Sequence, residues 1–306
     1  MGLHLTPQRN ARFSSPAIVK RPRMDYNEAE ADMCQDHLFP EHPGSPVWQV
    51  ATLLRRARCA VALSGAGISV PSGIPDFRSP ESGLWEQADP LAVASLNSFR
   101  RHPEAFYHWI RPLARTILAA QPNAAHVTLA QLEAKQRLEA VITQNIDGLH
   151  QRAGSRRVYE LHGHIRAATC LRCHRVTSTD VLIPTFVETG EIPRCPCGGV
   201  FKPNVVLFGE MLPEHAWNAA VELVERCDVL LVVGSSLEVS PAADLPLYAT
   251  AHGAHLVIVN LTPTPLDGLA EVVIHEDLAE VLPRIGELVL AQPSDSIRRQ
   301  TKTGPL

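Results

Sequence analysis

The chain has 306 residues, enough to bury one larger domain and a small satellite. Its formal net charge of −4 leaves no global basic field, so direct nucleic-acid binding is not expected. No apolar run approaches the roughly 18 to 20 residues that span a bilayer, and none suits a secretory signal; a soluble, cytoplasmic protein with no membrane partner is expected.

Residues 1–45 read as a mobile tail. Met1 to Met24 carries Arg9, Arg12, Lys20, Arg21 and Arg23 with no acid, and Asp25 to Glu41 carries six acids with no Lys or Arg. Blocks of opposite charge with interspersed prolines do not build a core. An Arg-rich, acid-free start also suits an organelle transit peptide, the minor alternative for localisation. A catalytic unit is expected over 46–292, and 293–306 is a polar, flexible end.

Within that unit, short apolar runs end repeatedly in small or amide residues. Arg58 to Leu63 delivers Ser64-Gly65-Ala66-Gly67-Ile68-Ser69, where glycines let the backbone turn sharply and bring N–H groups near a phosphate. The third glycine of GxGxxG is missing, with Val70 in its place, and Glu86 stands in the wrong context for a ribose-reading acid. An ordinary hydride-transferring dehydrogenase is therefore a poor fit. Gly73 to Arg78 follows as a turn-rich loop carrying Asp76, Phe77 and Arg78. An excursion over about 74–123 is helical, because Phe106, Trp109, Ile110, Leu113 and Ile117 recur at spacings of three and four.

Leu138 to Ile142 reads as another buried strand, and it delivers Thr143-Gln144-Asn145-Ile146-Asp147, with His162-Gly163 fifteen residues beyond Asp147. Two further runs, Asp228 to Val233 and His255 to Val259, end in Gly234-Ser235-Ser236 and Asn260-Leu261-Thr262. Apolar runs without polar alternation suit a parallel sheet covered on both faces. Loops at the carboxyl ends of such strands are where ligands bind, and four of them together point to one nucleotide crossing the sheet edge. Gly, Ser and Asn also end strands for purely local reasons, so no single loop carries this inference.

Between His164 and Pro203 the chain leaves the βα rhythm. Cys170-x-x-Cys173 and Cys195-x-Cys197 lie with twenty-one residues between the pairs, and Gly198-Gly199 follows. Such pairs can place four thiolates around one structural zinc at about 2.3 Å. Two disulfides or a redox dithiol are the alternatives, disfavoured in a reducing interior, and Cys34, Cys59 and Cys227 are isolated. The fold class expected is α/β: a Rossmann-like parallel sheet, with a smaller zinc-binding and helical domain formed by insertions at about 74–123 and 164–203. Val205 to Glu210 reads as a short strand ending in a bend, either an ordinary edge strand or one to which a peptide adds by backbone pairing.

GAGIS, GIPDFR, TQNID, LHGH, the four-cysteine insert, KPNVVLFGE, VGSSLEVSPA and VNLTPTPLD occur in this order between about Val47 and Leu290. In this the chain resembles the sirtuins, NAD-dependent protein lysine deacylases, and in particular bacterial-type deacetylases. The resemblance implies that the acyl oxygen of a modified lysine displaces nicotinamide from NAD, and that water finally releases free lysine and acyl-ADP-ribose. It makes His162 the base, with His150 and His164 as neighbours that do not match that position. Asn145 and Asp147 would order the nicotinamide pocket, with Ile146 beside them, and Gln144 would hold a ribose. Gly65, Ala66 and Gly67 would line the pyrophosphate, Phe77 would shield the reacting ribose, and Asp76 and Arg78 would complete that loop. Gly234, Ser235, Ser236, Asn260, Leu261 and Leu278 would bind the adenosine half.

Acylated-lysine proteins are the implied partners, bound as an extended strand against Val206, Phe208 and Gly209. Family members that prefer acidic acyl groups carry a tyrosine and an arginine three residues apart; here Tyr107 precedes Arg111 by four. Both spacings keep two side chains on one helix face, but the departure favours acetyl over a desuccinylase-type preference. A protein ADP-ribosyltransferase and a non-catalytic NAD-sensing or acyl-lysine-binding module are the alternatives from other classes.

Overall fold

A computed structural model describes residues 42–76 and 89–291. The charged tail over 1–41, Phe77 and Arg78 in 77–88, and the C-terminal residues from 292 lie outside the described residues.

Helix α1, Pro46–Arg56, begins where Ser45 accepts the Trp48 N–H at 3.2 Å and Pro46 supplies a preset φ. It leads into β1, Ala60–Ser64, and a 3₁₀ turn, Ala66–Ser72. Three helices follow among the described residues: α2, Pro90–Val93; α3, Leu96–Arg101; and α4, Pro103–Ala119. Helix α5, Ala124–Ala134, precedes β2, Ala140–Thr143; α6, Leu149–Ala153, precedes β3, Val158–Glu160. The cysteine-bearing excursion contains β4, Gly163–Cys170; β5, Val176–Ser178; α7, Leu182–Thr189; and β6, Phe201–Val205. The chain then returns through α8, Glu214–Arg226; β7, Val229–Val233; α9, Leu245–Ala251; β8, His255–Val259; β9, Val272–Ile274; and α10, Leu278–Leu290.

Six strands form one parallel sheet in the order β3-β2-β1-β7-β8-β9. Every residue of β1, β2 and β7 is buried, as the unbroken apolar runs require. One face packs on Val50, Leu54, Leu129 and Ile285 from α1, α5 and α10; the other packs on Leu223, Val224 and Leu245 from α8 and α9. This is the expected doubly wound α/β fold. The strand order reverses between β1 and β7, so a crevice opens outside their carboxyl ends. Three backbone bonds tie the loops there: Gly65 N–H to Val233 O at 3.1 Å, Gly67 N–H to Gly234 O at 2.8 Å, and Gly234 N–H to Val259 O at 3.0 Å.

The second body is a three-stranded antiparallel sheet, β5-β4-β6, flanked by helices. Its apolar centre is aromatic: Phe99 and Phe106 meet edge-on at 5.1 Å, and Tyr107 and Phe186 at 5.0 Å. One reading from sequence needs correction. The strand expected from Val205 onward lies earlier, over Phe201–Val205, and includes Pro203. Beyond Val205 the partner strand β4 has reached its start at Gly163, so 206–209 leaves the sheet as an irregular segment. It is held by Val206 N–H to His162 O at 2.8 Å and by an isolated bridge between Ser95 and Phe208.

Gly234 sits in the left-handed region at φ +62°, and a Cβ there would lie 2.3 Å from Ile68 N. Gly234→Ala should therefore destabilise the fold by about 3 kcal/mol, combining left-handed strain with overpacking against backbone. Gly268, with open space around it, supplies the control: Gly268→Ala should fall within about 0.5 kcal/mol of wild type. Urea unfolding midpoints check this, and equal effects at the two sites would contradict the packing argument.

Candidate active site and metal centre

Asn145 and Asp147 follow β2 and are each only 8% exposed. Their partners come from the turn after β1. Asn145 donates both amide hydrogens, to Gly65 O and Ser69 Oγ, each at 3.1 Å. Its Oδ1 is thus the atom turned to ligand chemistry. Ser69, 1% exposed, passes its own hydroxyl proton to Asp147 Oδ2 at 2.7 Å. Asp147 Oδ1 accepts the Leu149 N–H at 2.8 Å. Burial raises the Asp147 pKa, while these two bonds oppose the rise. Asn145 Oδ1 and the Asp147 carboxylate so held are both acceptors, and can read the NH2 side of a carboxamide but not its carbonyl.

Gln144 joins the exits of three strands. Its N–H donates to Ser64 O at 3.0 Å, its Nε2 donates to Ser235 Oγ at 3.0 Å, and its carbonyl accepts from His162 Nδ1 at 3.0 Å. A carbonyl can only accept, so His162 carries its proton on Nδ1 and presents the lone pair of Nε2. Burial lowers the His162 pKa and the bond to Gln144 partly opposes this, leaving a neutral imidazole able to take a proton.

The residues assigned to the adenosine half lie at the ends of β7 and β8. Ser235 is buried and Ser236 half-buried. Asn260 spends its amide on Thr262, donating to the carbonyl at 2.7 Å, and its own carbonyl accepts from His275 Nδ1 at 2.7 Å. Leu261 is exposed, whereas the Leu278 side chain is buried in the core at the start of α10. Ala66 and Gly67 are half-buried in the turn, and Asp76 is half-buried where the described segment ends.

The segment Val206 to Gly209 is shaped by a buried clamp. Lys202 Nζ meets Glu210 Oε2 at 2.9 Å and donates to Val205 O at 2.8 Å, while Leu207 N–H donates to the same Glu210 oxygen at 2.8 Å. Phe208 spends its N–H on Ala94 O and its carbonyl on Leu96 N–H. Gly209, exposed and at φ +86°, has no backbone partner among the described residues.

Tyr107 and Arg111 do not form the carboxylate clamp that their spacing left open. The Tyr107 hydroxyl donates to Phe201 O at 2.6 Å, and burial raises its pKa. Arg111 donates from Nε and Nη2 to Val187 O at 3.1 and 3.0 Å, and from Nη2 to Glu188 O at 2.9 Å, closing the end of α7. Both polar groups are spent on main chain. Tyr107 also lines an apolar cavity of about 40 Å³, with Phe106, Ile110, Ile146, Ile165 and Val205. Ile146 thereby links the loop after β2 to that cavity.

The Sγ atoms of Cys170, Cys173, Cys195 and Cys197 all lie within 4.8 Å of one another. Cys170 and Cys197 approach to 3.5 Å, and Cys173 and Cys195 to 3.6 Å. These are too long for bonded sulfurs, and a tetrahedron with Zn–S of about 2.3 Å has edges of about 3.8 Å. The thiols fit one zinc. The N–H of Cys173, and then that of Arg172, lowers the Cys170 pKa to about 6, favouring the thiolate a metal needs. Gly199 is required sterically: a Cβ there would lie 2.6 Å from Cys170 Sγ.

Sequence reasoning found the loops but not Ser69, which joins Asn145 to Asp147, nor the Lys202–Glu210 clamp. The only available signal was their membership of GAGIS and KPNVVLFGE.

A topological switch point lined by buried polar loops, a neutral imidazole bonded to one of those loops, and a four-thiol cluster in the second body define an α/β enzyme with a structural metal. The profile of the Sir2 family matches residues 65–241. NAD-dependent protein deacylase 2 of Archaeoglobus fulgidus is 48% identical over 243 residues, covering 79% of this chain and 95% of its own. NAD-dependent protein deacetylase 1 of Geobacillus kaustophilus is 45% identical over 239 residues, covering 78% and 96%. A solved complex of Sir2 with a p53 peptide and NAD+ superposes with a TM-score of 0.71 at 45% identity, covering 78% of this chain and 96% of that one. The chain belongs to the Sir2 family.

Structural zinc supplies folding free energy directly. Cys197→Ser should therefore lose the single bound zinc and, by releasing the second body from the crevice, abolish turnover. Metal analysis of purified wild type and variant tests this; zinc-free wild type with full activity would show the site to be misread.

Proposed function

We propose that this chain removes acyl groups from protein lysine at the expense of NAD, giving nicotinamide, acyl-ADP-ribose and free lysine. The observation that supports this best is the pairing of a neutral His162 with the buried Asn145 and Asp147 across the Gln144 hinge. NAD supplies the leaving nicotinamide and the ribose that accepts the acyl group. His162 Nε2 takes a proton from a ribose hydroxyl while Nδ1–H stays on Gln144 O. Asn145 Oδ1 and the Asp147 carboxylate accept from the NH2 of the carboxamide, and the Gly65–Gly67 turn lines the pyrophosphate. A pure NAD-binding module has no need of a poised base.

The protein substrate lies along 206–209 as an extended strand, using the Gly209 backbone, which has no backbone partner among the described residues, with Val206 and Phe208 on either side of the lysine stem. The acyl group is neutral, and acetyl is the preferred one. Arg111 is committed to the end of α7 and the nearby cavity is apolar, so a carboxylate there would be buried without a cation, at a cost of several kcal/mol.

His162→Ala should lower kcat by about 10² or more while NAD binding and zinc content persist. In wild type the acid limb of kcat should lie below the ordinary histidine value of about 6.5, because the base must be neutral and burial lowers its pKa. Near-normal turnover in a folded, zinc-replete variant would remove His162 from the mechanism. Mass spectrometry of the products separates deacylation from transfer of ADP-ribose to protein, which would leave a persistent adduct.

Acyl preference is read from kcat/KM for acetyl- and succinyl-lysine peptides in wild type and Arg111→Met. Acetyl should be preferred by at least about 10²-fold, as the desolvation cost implies, and the variant should keep that ratio while losing some stability. A succinyl preference that collapses in Arg111→Met would reassign Arg111 to the substrate.

A further inference from the structure

Two histidines beneath the loop after β2 take no part in the chemistry above. His150 on α6 and His126 on α5 are 1% and 0% exposed, with ring centroids 4.9 Å apart at 61°. His150 Nε2 lies 2.8 Å from Ser64 Oγ, and His126 Nδ1 accepts the Asn123 N–H at 3.4 Å. The remaining nitrogens, His150 Nδ1 and His126 Nε2, are buried without a hydrogen-bond partner among the described residues. An unpaired buried nitrogen weakens a fold, so apolar side chains of like size would serve stability better.

What the rings do have is a continuous line of bonds to the site. Ser64 and Thr143 face each other in the parallel register of β1 and β2, and Ser64 Oγ donates to Thr143 Oγ1 at 2.8 Å. Thr143 Oγ1 in turn accepts the Asn145 N–H at 3.0 Å. With the Ser64 proton directed to Thr143, His150 Nε2 carries the hydrogen and donates to Ser64; reversing the hydroxyls makes Nε2 the acceptor. Under either arrangement the Asn145 backbone rests on two stacked hydroxyls pinned by an imidazole. At the other ring, Asn123 Nδ2 donates to Ile68 O at 2.8 Å and Ser72 Oγ at 2.9 Å. The two loops that frame Asn145 and Asp147 are thus anchored at one buried point.

We propose that His150 is a positioning residue for the Asn145–Asp147 loop, acting through Ser64 and Thr143, and that His126 extends the tie to the Ala66–Ser72 turn. This rests on the reading that the loop receives the nicotinamide end of NAD. Small displacements of such a loop are costly, since about 1 Å of misplacement can cost 10²-fold in rate. The tie acts on kcat and on KM for NAD, and leaves KM for the peptide, whose groove is built from 206–209, unchanged.

The test is steady-state nicotinamide release by the full chain, carrying its zinc, in wild type, His150→Leu, Ser64→Ala and the double variant. His150→Leu should lower kcat about 10-fold or more and raise KM for NAD, with peptide KM and thermal midpoint preserved. Ser64→Ala should have a similar effect alone and add less than about 2-fold in the His150→Leu background, because coupled residues are non-additive. Multiplying effects, or unchanged kcat and NAD KM in His150→Leu, would overturn the proposal. If His150→Leu does not fold, Ser64→Ala and Thr143→Val, which barely change volume, decide it by the same kinetic split, and wild-type kinetics in both overturns it. A wild type that releases no nicotinamide would overturn the underlying reading as well, whereas normal release with indifferent variants overturns this proposal alone.

Discussion

Two backbones touch where β1 and β7 part company, and the site is built on that contact. A Cβ on Gly65 would lie 2.7 Å from Gly234 O, and one on Gly67 2.9 Å from the same oxygen. With no side chains between them, the turn after β1 lies flat against the end of β7, which buries Ser69 under it. Ser69 then offers one oxygen to Asn145 and one proton to Asp147, so the loop after β2 is held by the turn after β1. Gln144 closes the circuit by reaching Ser235 after β7. A polar, largely buried network of this kind is rigid only if nearly every partner is present.

The second body meets a different constraint. Its sheet has three strands, and its apolar cluster is small. The cysteine quartet supplies what the core lacks, while Phe99, Phe106, Tyr107 and Phe186 contribute large apolar areas from few residues. In the Lys202–Glu210 pair inside this body Lys202 is buried, at 8% exposure, and Glu210 is half-buried. Such pairs contribute little net stability but hold a defined geometry. Here the geometry is the bend after Leu207, whose N–H donates to Glu210, with Gly209 exposed beyond it.

The sheet was legible because parallel strands are covered on both faces, which four short unbroken apolar runs suit. The zinc quartet was legible from spacing, and His162 from its position before a glycine together with its match to the sirtuin base. The edge strands β3 and β9 are three residues each, too short to show a period. The strand ending at Val205 was placed late because Pro203 argues against a strand, yet it sits inside one facing Ala168. Tyr107 and Arg111 share a helix face by spacing, but spacing does not reveal that the neighbouring carbonyls belong to β6 and α7. Ser69, Ser64 and His150 escaped notice for the same reason: their partners lie 78 to 86 residues away in sequence.

The paired imidazoles carry a consequence for acid tolerance. Burial lowers the His126 pKa to about 4, and burial together with the neighbouring His126 lowers that of His150 to about 3. In the unfolded chain both would titrate near about 6.5. Above that value neither state is protonated and the rings exact no proton-linked penalty. As pH falls below it, the unfolded chain takes up protons that the native chain refuses, and each ring draws the equilibrium towards unfolding by about 1.4 kcal/mol per pH unit. That drift continues until the native rings themselves titrate, so the two side chains that underlie the Asn145 loop also contribute to the loss of stability in acid.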